Sequence, residues 1–67
     1  MTRRPVSSSR VASVGWQDDT LEVEFTSGHI YQYHEVPEST YLNLVGADSV
    51  GRELNAVIAG HQSTRLK

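Results

Sequence analysis

The chain has 67 residues, which allow one small domain. A domain of this size buries only about 60% of the surface that its unfolded chain exposes, which leaves no room for a deep ligand pocket beside the core. Six Lys and Arg residues against eight Asp and Glu residues give a formal net charge of -2, which is not the balance of a nonspecific polyanion binder. The absence of cysteine excludes disulfides, thiolate zinc sites and cysteine nucleophiles.

Neither a membrane span nor a secretion signal is predicted. No apolar stretch approaches the ~18 residues that a span requires, and no apolar signal core follows the basic start of the chain. We therefore expect a cytoplasmic protein of bacterial type without membrane association. Residues 1–10 are polar and predict an N-terminal segment that docks late or stays mobile. Residues 61–67 carry no pattern and predict a C-terminal tail, which leaves residues 11–60 as the single folded domain.

Three strands are predicted between residues 11 and 35. Apolar and polar side chains alternate over 11–16 and again over 21–26, which is the period of a strand with one buried face. Residues 29–35 are rich in β-branched and aromatic side chains, which favour strands. Short polar turns separate the three segments, so they predict an antiparallel meander. Glu22 and Glu24 lie on the polar face of the second strand, where we expect solvent.

Two helices are predicted after Pro37, which ends the sheet. Apolar residues recur at helical spacing over 38–45, and a second such run begins at Asp48 or Ser49 and ends at Gly60. The predicted fold is therefore α+β, a three-stranded antiparallel β-meander followed by two α-helices packed on one face. The residues predicted to form the core are Leu21, Val23, Phe25, Tyr41, Leu44, Leu54, Val57 and Ile58.

Tyr31 and Tyr33 share one face of a strand, where two exposed aromatic rings would form a stacking platform for nucleobases. Their exposure depends on the preceding turn. A two-residue turn at Ser27 and Gly28 places them on the polar face, whereas a three-residue loop places them on the core face. The longer loop requires a positive φ only at Gly28, so we favour the core position with the hydroxyls at the sheet edge. The exposed platform is the alternative.

The start of the second helix has the features of an anion site. Free backbone N–H groups, the hydroxyl of Ser49, the close approach that Gly51 allows and the guanidinium of Arg52 together suit a phosphate. Arg10, in the N-terminal segment, is a second candidate cation for such a compact anion. The alternative is an ordinary capped helix in which Gly51 permits tight packing against the sheet.

The sequence offers no metal or catalytic constellation. His29 and His34 are five residues apart on a strand and so face opposite sides, and no helix carries a carboxylate–histidine motif. The serine run 7–9 lacks the strand–turn–helix setting of a hydrolase nucleophile, and backbone capping explains it better. We therefore expect neither enzyme activity nor a cofactor.

A series of short motifs runs through nearly the whole chain. In order they are SSRVASVGW (8–16), LEVEF (21–25), SGHIYQY (27–33), VP (36–37) and ADSVGR (47–52), followed by Asn55. Together these motifs resemble the KTSC domain family over about residues 6–60, and the YQY segment matches its central YxY signature. The family is named for a segment at the carboxyl terminus of some lysyl-tRNA synthetases, and it also occurs as a stand-alone protein of bacteria and phages. The resemblance implies RNA binding, which the synthetase context has suggested for the family.

Two classes of function fit these features. The first is a non-enzymatic binding module for RNA or a nucleotide-like anionic ligand. The residues that would bind this ligand are Tyr31, Tyr33, Ser49, Gly51, Arg52 and Arg10. The second is a protein–protein interaction or homo-oligomerisation module without nucleic-acid binding, which the acidic balance and the free sheet edges favour. In both classes we expect a homo-oligomer more often than a monomer, because a small open sheet tends to pair.

Overall fold

A computed structural model describes residues 1–67 and contains one five-stranded antiparallel sheet with two helices. The elements in chain order are β1 (Arg4–Pro5), β2 (Val11–Gln17), β3 (Thr20–Phe25), β4 (Ile30–Tyr33), α1 (Glu38–Val45), α2 (Val50–Gly60) and β5 (Ser63–Arg65). The strands lie in the sheet in the same order, and each is antiparallel to the next. The α+β class is confirmed, but the sheet has five strands and not the three that the sequence predicts.

The two additional strands come from residues 1–10 and 61–67, for which the sequence predicts a polar segment and a tail. β1 pairs with β2, and β5 pairs with β4, so both lie at the edges of the sheet. Both strands are short and their residues are exposed. Because neither buries an apolar face, neither shows the period of two from which strands are predicted. Backbone hydrogen bonds to their neighbours hold them, and hydrophobic patterning does not reveal such bonds.

The loop between β3 and β4 has three residues, as predicted. The N–H of Phe25 donates to the carbonyl of His29 at 2.9 Å, and the N–H of Gly28 donates to the carbonyl of Phe25 at 2.9 Å. Gly28 has a φ of 97°, which glycine adopts without steric cost. The resulting register places Tyr31 and Tyr33 opposite apolar residues of β3. Tyr33 is 4% exposed and Tyr31 is partly buried against the core, which confirms their predicted core position.

Both helices cover one face of the sheet. Leu44 of α1 and Leu54 of α2 are fully buried in the same cluster as Val14 of β2. The register of β2 shifts between Val11 and Ser13, and this bulge brings Val11 into the core in addition to Val14. Neither helix is long and apolar enough to cross a bilayer. The buried cluster consists of Val11, Val14, Leu21, Val23, Tyr33, Val36, Leu44, Val50, Leu54 and Val57.

Three residues predicted to form the core lie at its margin or outside it. Phe25 and Tyr41 are only partly buried against the cluster, and Ile58 is 39% exposed. At about 100° per residue, Ile58 lies roughly 80° around α2 from Val50, at the flank of the buried stripe. The prediction for Ile58 is therefore wrong, because helical spacing does not fix how wide a stripe the sheet covers.

The start of the chain lies against the second face of the sheet at Gly15 and Glu22. Glu22 on this face is only 7% exposed, and its carboxylate accepts hydrogen bonds from Arg3 Nη1 at 2.8 Å and Gln32 Nε2 at 2.9 Å. The backbone of the segment lies close to β2 at this point, since a Cβ added to Gly15 would lie 2.5 Å from the carbonyl oxygen of Thr2. The expectation that Glu22 faces solvent is therefore wrong, because the polar N-terminal segment shields it.

Candidate functional site

A cleft of about 400 Å³ lies between the loop that precedes β2 and the start of α2. Residues 7–10 line one side, and residues 48–52 together with Asn55 line the other. Val50 is the only hydrophobic residue of this lining, and the cleft is an open depression in the surface. Four of the six residues predicted to bind a ligand meet here, namely Arg10, Ser49, Gly51 and Arg52.

Hydrogen bonds fix the backbone of the loop that forms the first wall of the cleft. Ser8 Oγ accepts the N–H groups of Arg10 at 3.2 Å and Val11 at 3.3 Å, so Ser8 caps the backbone as predicted for the serine run. At the end of β3, the N–H of Thr26 donates to the carbonyl of Arg10 at 2.9 Å, and Thr26 Oγ1 donates to the carbonyl of Ser9 at 3.1 Å. These hydrogen bonds hold the backbone of Arg10 in place beside the cleft.

The helix wall presents backbone N–H groups that have no acceptor within the protein. Ser49 caps α2, with its Oγ accepting the N–H of Arg52 at 3.4 Å and its carbonyl accepting the N–H of Glu53 at 3.1 Å. The N–H groups of Val50 and Gly51 lie in the first turn, where no intrahelical acceptor exists, and they make no other hydrogen bond. Such groups at the positive end of the helix dipole attract negative charge.

Two arginines carry the positive charge of the cleft. Arg10 Nη2 donates to Asn55 Oδ1 at 3.0 Å, and this neutral partner orients the guanidinium without cancelling its charge. The Arg52 side chain forms no hydrogen bond or ion pair, and the only salt bridge of the protein lies on the other face of the sheet. Both guanidinium charges are therefore available to an anion, while Asp48 adds one carboxylate to the lining.

Tyr31 and Tyr33, the other two predicted site residues, do not line the cleft. Their rings stack on each other with centroids 6.4 Å apart, and Phe25 packs edge-on against Tyr31 at 5.9 Å. Burial raises the pKa of the Tyr33 hydroxyl, the neighbouring Tyr31 raises it further, and the charge of Arg10 lowers it. The ring of Tyr33 is buried, so the pair does not form the exposed stacking platform of the alternative interpretation.

A second cleft, of about 480 Å³, is acidic. It is lined by Asp18, Asp19, Thr20, Glu35 and Pro37, and thus by three carboxylates and no cation. Such a lining repels anions, so an anionic ligand is directed to the cleft beside α2. No group of three or more His, Asp or Glu side chains in the protein is placed to hold a metal ion.

The three histidines fasten the C-terminal segment to β4 and its flanking residues. His29 Nδ1 donates to the carbonyl of Lys67 at 3.3 Å, and His61 Nδ1 donates to the carbonyl of His34 at 2.8 Å. His34 Nε2 is hydrogen-bonded to Thr64 Oγ1 at 2.8 Å. The histidines thus belong to the contacts that hold β5 in the sheet.

Sequence reasoning missed Asn55 and Asp48 as parts of the cleft. Asn55 lies four residues after Gly51, so helical spacing places both on one side of α2 and could have identified it. Asp48 directly precedes the N-cap Ser49, so its position next to the predicted anion site could also have identified it. The contact between the loop 7–10 and the start of α2 could not be predicted from local sequence, because it joins segments that are distant in the chain.

Comparisons with known proteins cover nearly the whole chain. The sequence model of the KTSC domain family matches residues 7–61. A protein of Stutzerimonas stutzeri is 42% identical over 59 residues, or 85% of this chain and 83% of that protein. A protein of Tsukamurella paurometabola is 35% identical over 57 residues, or 82% of this chain and 85% of that protein. The crystal structure of a KTSC domain protein from Yersinia pestis superposes with a TM-score of 0.90 at 39% identity, covering 98% of this chain and 97% of that chain.

Proposed function

We propose that this chain, which belongs to the KTSC domain family, is a non-enzymatic module that binds the phosphate group of a nucleotide or of RNA in the cleft beside α2. One observation carries the proposal. Arg10 and Arg52, which are distant in the sequence, line the same cleft, and neither guanidinium is bonded to a carboxylate. Charge-assisted hydrogen bonds from arginine are a common way in which proteins hold phosphate.

The neutral donors of the cleft support the same ligand chemistry. The free N–H groups of Val50 and Gly51 lie at the positive end of α2 and add two donors to those of the arginines. The cleft is an open depression of about 400 Å³, which has room for a phosphate group without enclosing it. A net charge of -2 does not oppose a compact anion that is neutralised locally. It does oppose long RNA, whose nonspecific affinity grows with the number of phosphate contacts.

The composition of the cleft favours binding over catalysis. None of the four serine hydroxyls that line the cleft donates a hydrogen bond to a base: Ser8 and Ser49 accept backbone N–H groups, no histidine lines the cleft, and the Asp48 carboxylate has no hydrogen-bond partner. A serine nucleophile requires a base within hydrogen-bond reach to remove its proton. We therefore propose no reaction at this site.

The proposal is tested by titrating the ¹⁵N-labelled protein with inorganic phosphate, a nucleoside monophosphate and a short RNA at two salt concentrations. We expect the amide resonances of Val50 and Gly51 to shift most, because their N–H groups would contact the phosphate. Arg52→Gln should weaken binding by about tenfold, which corresponds to the loss of one charge-assisted hydrogen bond. Arg65→Gln is the matched control, since it removes the same charge from a residue outside the cleft.

Three results would contradict the proposal. The first is the absence of binding to every phosphate compound at millimolar concentration. The second is an equal loss of affinity in both arginine variants, which would report only the change in net charge. The third is a set of shifted resonances that lies away from residues 7–10 and α2.

The second candidate function is a protein-interaction or homo-oligomerisation module, and the free edge of β5 favours it. The three residues of β5 are exposed, and Leu66 beside them is 51% exposed. The opposite edge is less suited to pairing, because β1 has two residues and one of them is a proline. This function is preferred if no phosphate compound binds and sedimentation shows a dimer or larger assembly at high micromolar concentration.

A further inference from the structure

The outer side of β5 carries backbone groups that no strand of the protein satisfies, because β5 is the last strand of the sheet. The carbonyl of Gln62 accepts an N–H group on the β4 side at 2.9 Å, and the N–H of Leu66 donates to a carbonyl of β4 at 2.7 Å. Backbone groups point to the two sides of a strand in alternation, so those of Thr64 also face β4. The N–H and C=O groups of Ser63 and Arg65 therefore face outwards along the edge.

The charge of Arg65 limits which strand can be added at this edge. All three residues of β5 are exposed and none is a proline, so each outward N–H group is present. A charged side chain is one of the means by which proteins protect a sheet edge. Arg65 is the only charged residue of β5, so a strand fits this edge when it places no second cation directly opposite that guanidinium.

A second copy of this chain meets that condition in one antiparallel register. Outward-facing residues must oppose outward-facing residues, so a symmetric pair of β5 strands is centred on Ser63, Thr64 or Arg65. The register centred on Arg65 places two guanidinium groups directly opposite each other, which is destabilising. The register centred on Ser63 leaves Arg65 opposite His61, which lies outside the strand. The register centred on Thr64 pairs all three residues and places each Arg65 opposite Ser63 of the second copy.

The side chains also fit the register centred on Thr64. The two Thr64 residues would form a pair without backbone hydrogen bonds between them, where side chains approach most closely, and Thr–Thr is a favourable cross-strand pair. Within one copy, Thr64 lies opposite Gln32, which lies opposite Glu22, so the second copy continues a polar row across the sheet. Leu66 is 51% exposed, and it would lie opposite Gln62 of the second copy and gain a cross-strand neighbour.

We infer that two copies of this chain pair through antiparallel β5 strands about a twofold axis at Thr64, which joins their sheets into one continuous sheet. The contact is the same surface on both copies, so it closes at a dimer and does not extend into a fibre. A contact of this size is small, and we expect a weak dimer with a dissociation constant of about 0.1–1 mM. The dimer does not depend on the proposed phosphate binding, because no residue of β5 lines the cleft.

The test is sedimentation equilibrium of the full chain at concentrations that bracket the expected dissociation constant. The mass of the wild-type protein should rise from 7.4 kDa toward twice that value. Thr64→Lys and Thr64→Glu each place like charges opposite each other at the axis, and each should weaken the dimer by at least about tenfold. An equimolar mixture of the two variants should dimerise more tightly than either variant alone, which also shows that both are folded. Gln62→Lys is the matched control, since it adds the same charge opposite Leu66 and should dimerise like the wild type.

Three results would overturn the inference. The first is a wild-type mass of 7.4 kDa at every concentration, which would leave the edge to a strand of another protein. The second is an equal loss of the dimer in Gln62→Lys and Thr64→Lys, and the third is a mixture that dimerises no more tightly than its components. Titration with inorganic phosphate separates this inference from the proposed function. A monomer that binds phosphate would overturn only the dimer, and a dimer that binds no phosphate compound would overturn only the proposed function.

Discussion

Replacing Gly51 by alanine is expected to change folding and ligand binding in opposite directions. Gly51 is the second residue of α2, and glycine destabilises a helix relative to alanine by about 0.5–1 kcal/mol. A Cβ at this position would meet only Ser8 Oγ, at 3.8 Å, which is ordinary van der Waals contact. The free energy of unfolding should therefore rise by up to about 1 kcal/mol. In a domain of this size that corresponds to a rise in Tm of up to roughly 4–8 °C.

The same methyl group enters the cleft beside the N–H groups proposed to hold the phosphate. The protein accommodates it, but a bound phosphate would need the same space. We expect the affinity for adenosine 5′-monophosphate to fall by at least about fivefold, or about 1 kcal/mol. Thermal unfolding followed by circular dichroism measures the first effect, and calorimetric titration measures the second.

Gly60→Ala is the matched control for this experiment. Gly60 ends α2, and a Cβ there would have no neighbour within 4 Å, so the variant should leave binding unchanged. A lower Tm for Gly51→Ala would refute the packing argument, since it would mean that the loop 7–10 lies closer to α2 than described. A higher Tm with unchanged affinity would refute the placement of the phosphate at the start of α2.

Two further predictions concern stability alone. Gly15→Ala should lower the free energy of unfolding by about 1–3 kcal/mol, because the new Cβ would lie 2.5 Å from the carbonyl oxygen of Thr2 and the N-terminal segment must shift. An unchanged urea midpoint would mean that this segment does not lie against β2 at Gly15. Burial raises the pKa of Tyr33 above its ordinary value of 10.0, so the folded protein holds the hydroxyl proton more tightly than the unfolded chain does. The stability that the neutral Tyr33 contributes is therefore present below about pH 10 and is lost as the pH rises through the folded-state pKa. Urea midpoints should fall above about pH 10, and Tyr33→Phe should remove part of that fall; equal pH dependence of the two proteins would contradict the assignment.

The parts of the fold that could be predicted are those with strong local signals. Helix α1 covers the predicted residues 38–45, because Pro37 sets its start and apolar residues recur at helical spacing. Ser49 caps α2 through its side chain, as its residue type favours. The positive φ of Gly28 selects the three-residue loop, and that single choice fixes the register of the tyrosines.

The parts that could not be predicted depend on contacts between distant segments. β1 and β5 are polar and exposed, so no periodicity distinguishes them from coil. Glu22 is buried where the N-terminal segment lies against it and Arg3 binds its carboxylate, and the local alternation of β3 is the same with or without that cover. Arg10 and Arg52 could be chosen as cations from their chemistry, but their proximity follows from the docked position of the loop 7–10.

The N-terminal segment therefore connects folding with the proposed site. It provides β1, covers the second face of the sheet at Gly15, and then forms one wall of the cleft with residues 7–10. Because the wall exists only while the segment is docked, a ligand of the cleft binds the folded protein and not the unfolded chain. Such a ligand at 100 times its Kd stabilises the folded state by about 2.7 kcal/mol. The whole stability of a domain is about 5–15 kcal/mol, and a core as small as this one lies toward the lower end. Ligand binding at the cleft would therefore contribute a substantial share of the stability that keeps the segment in place.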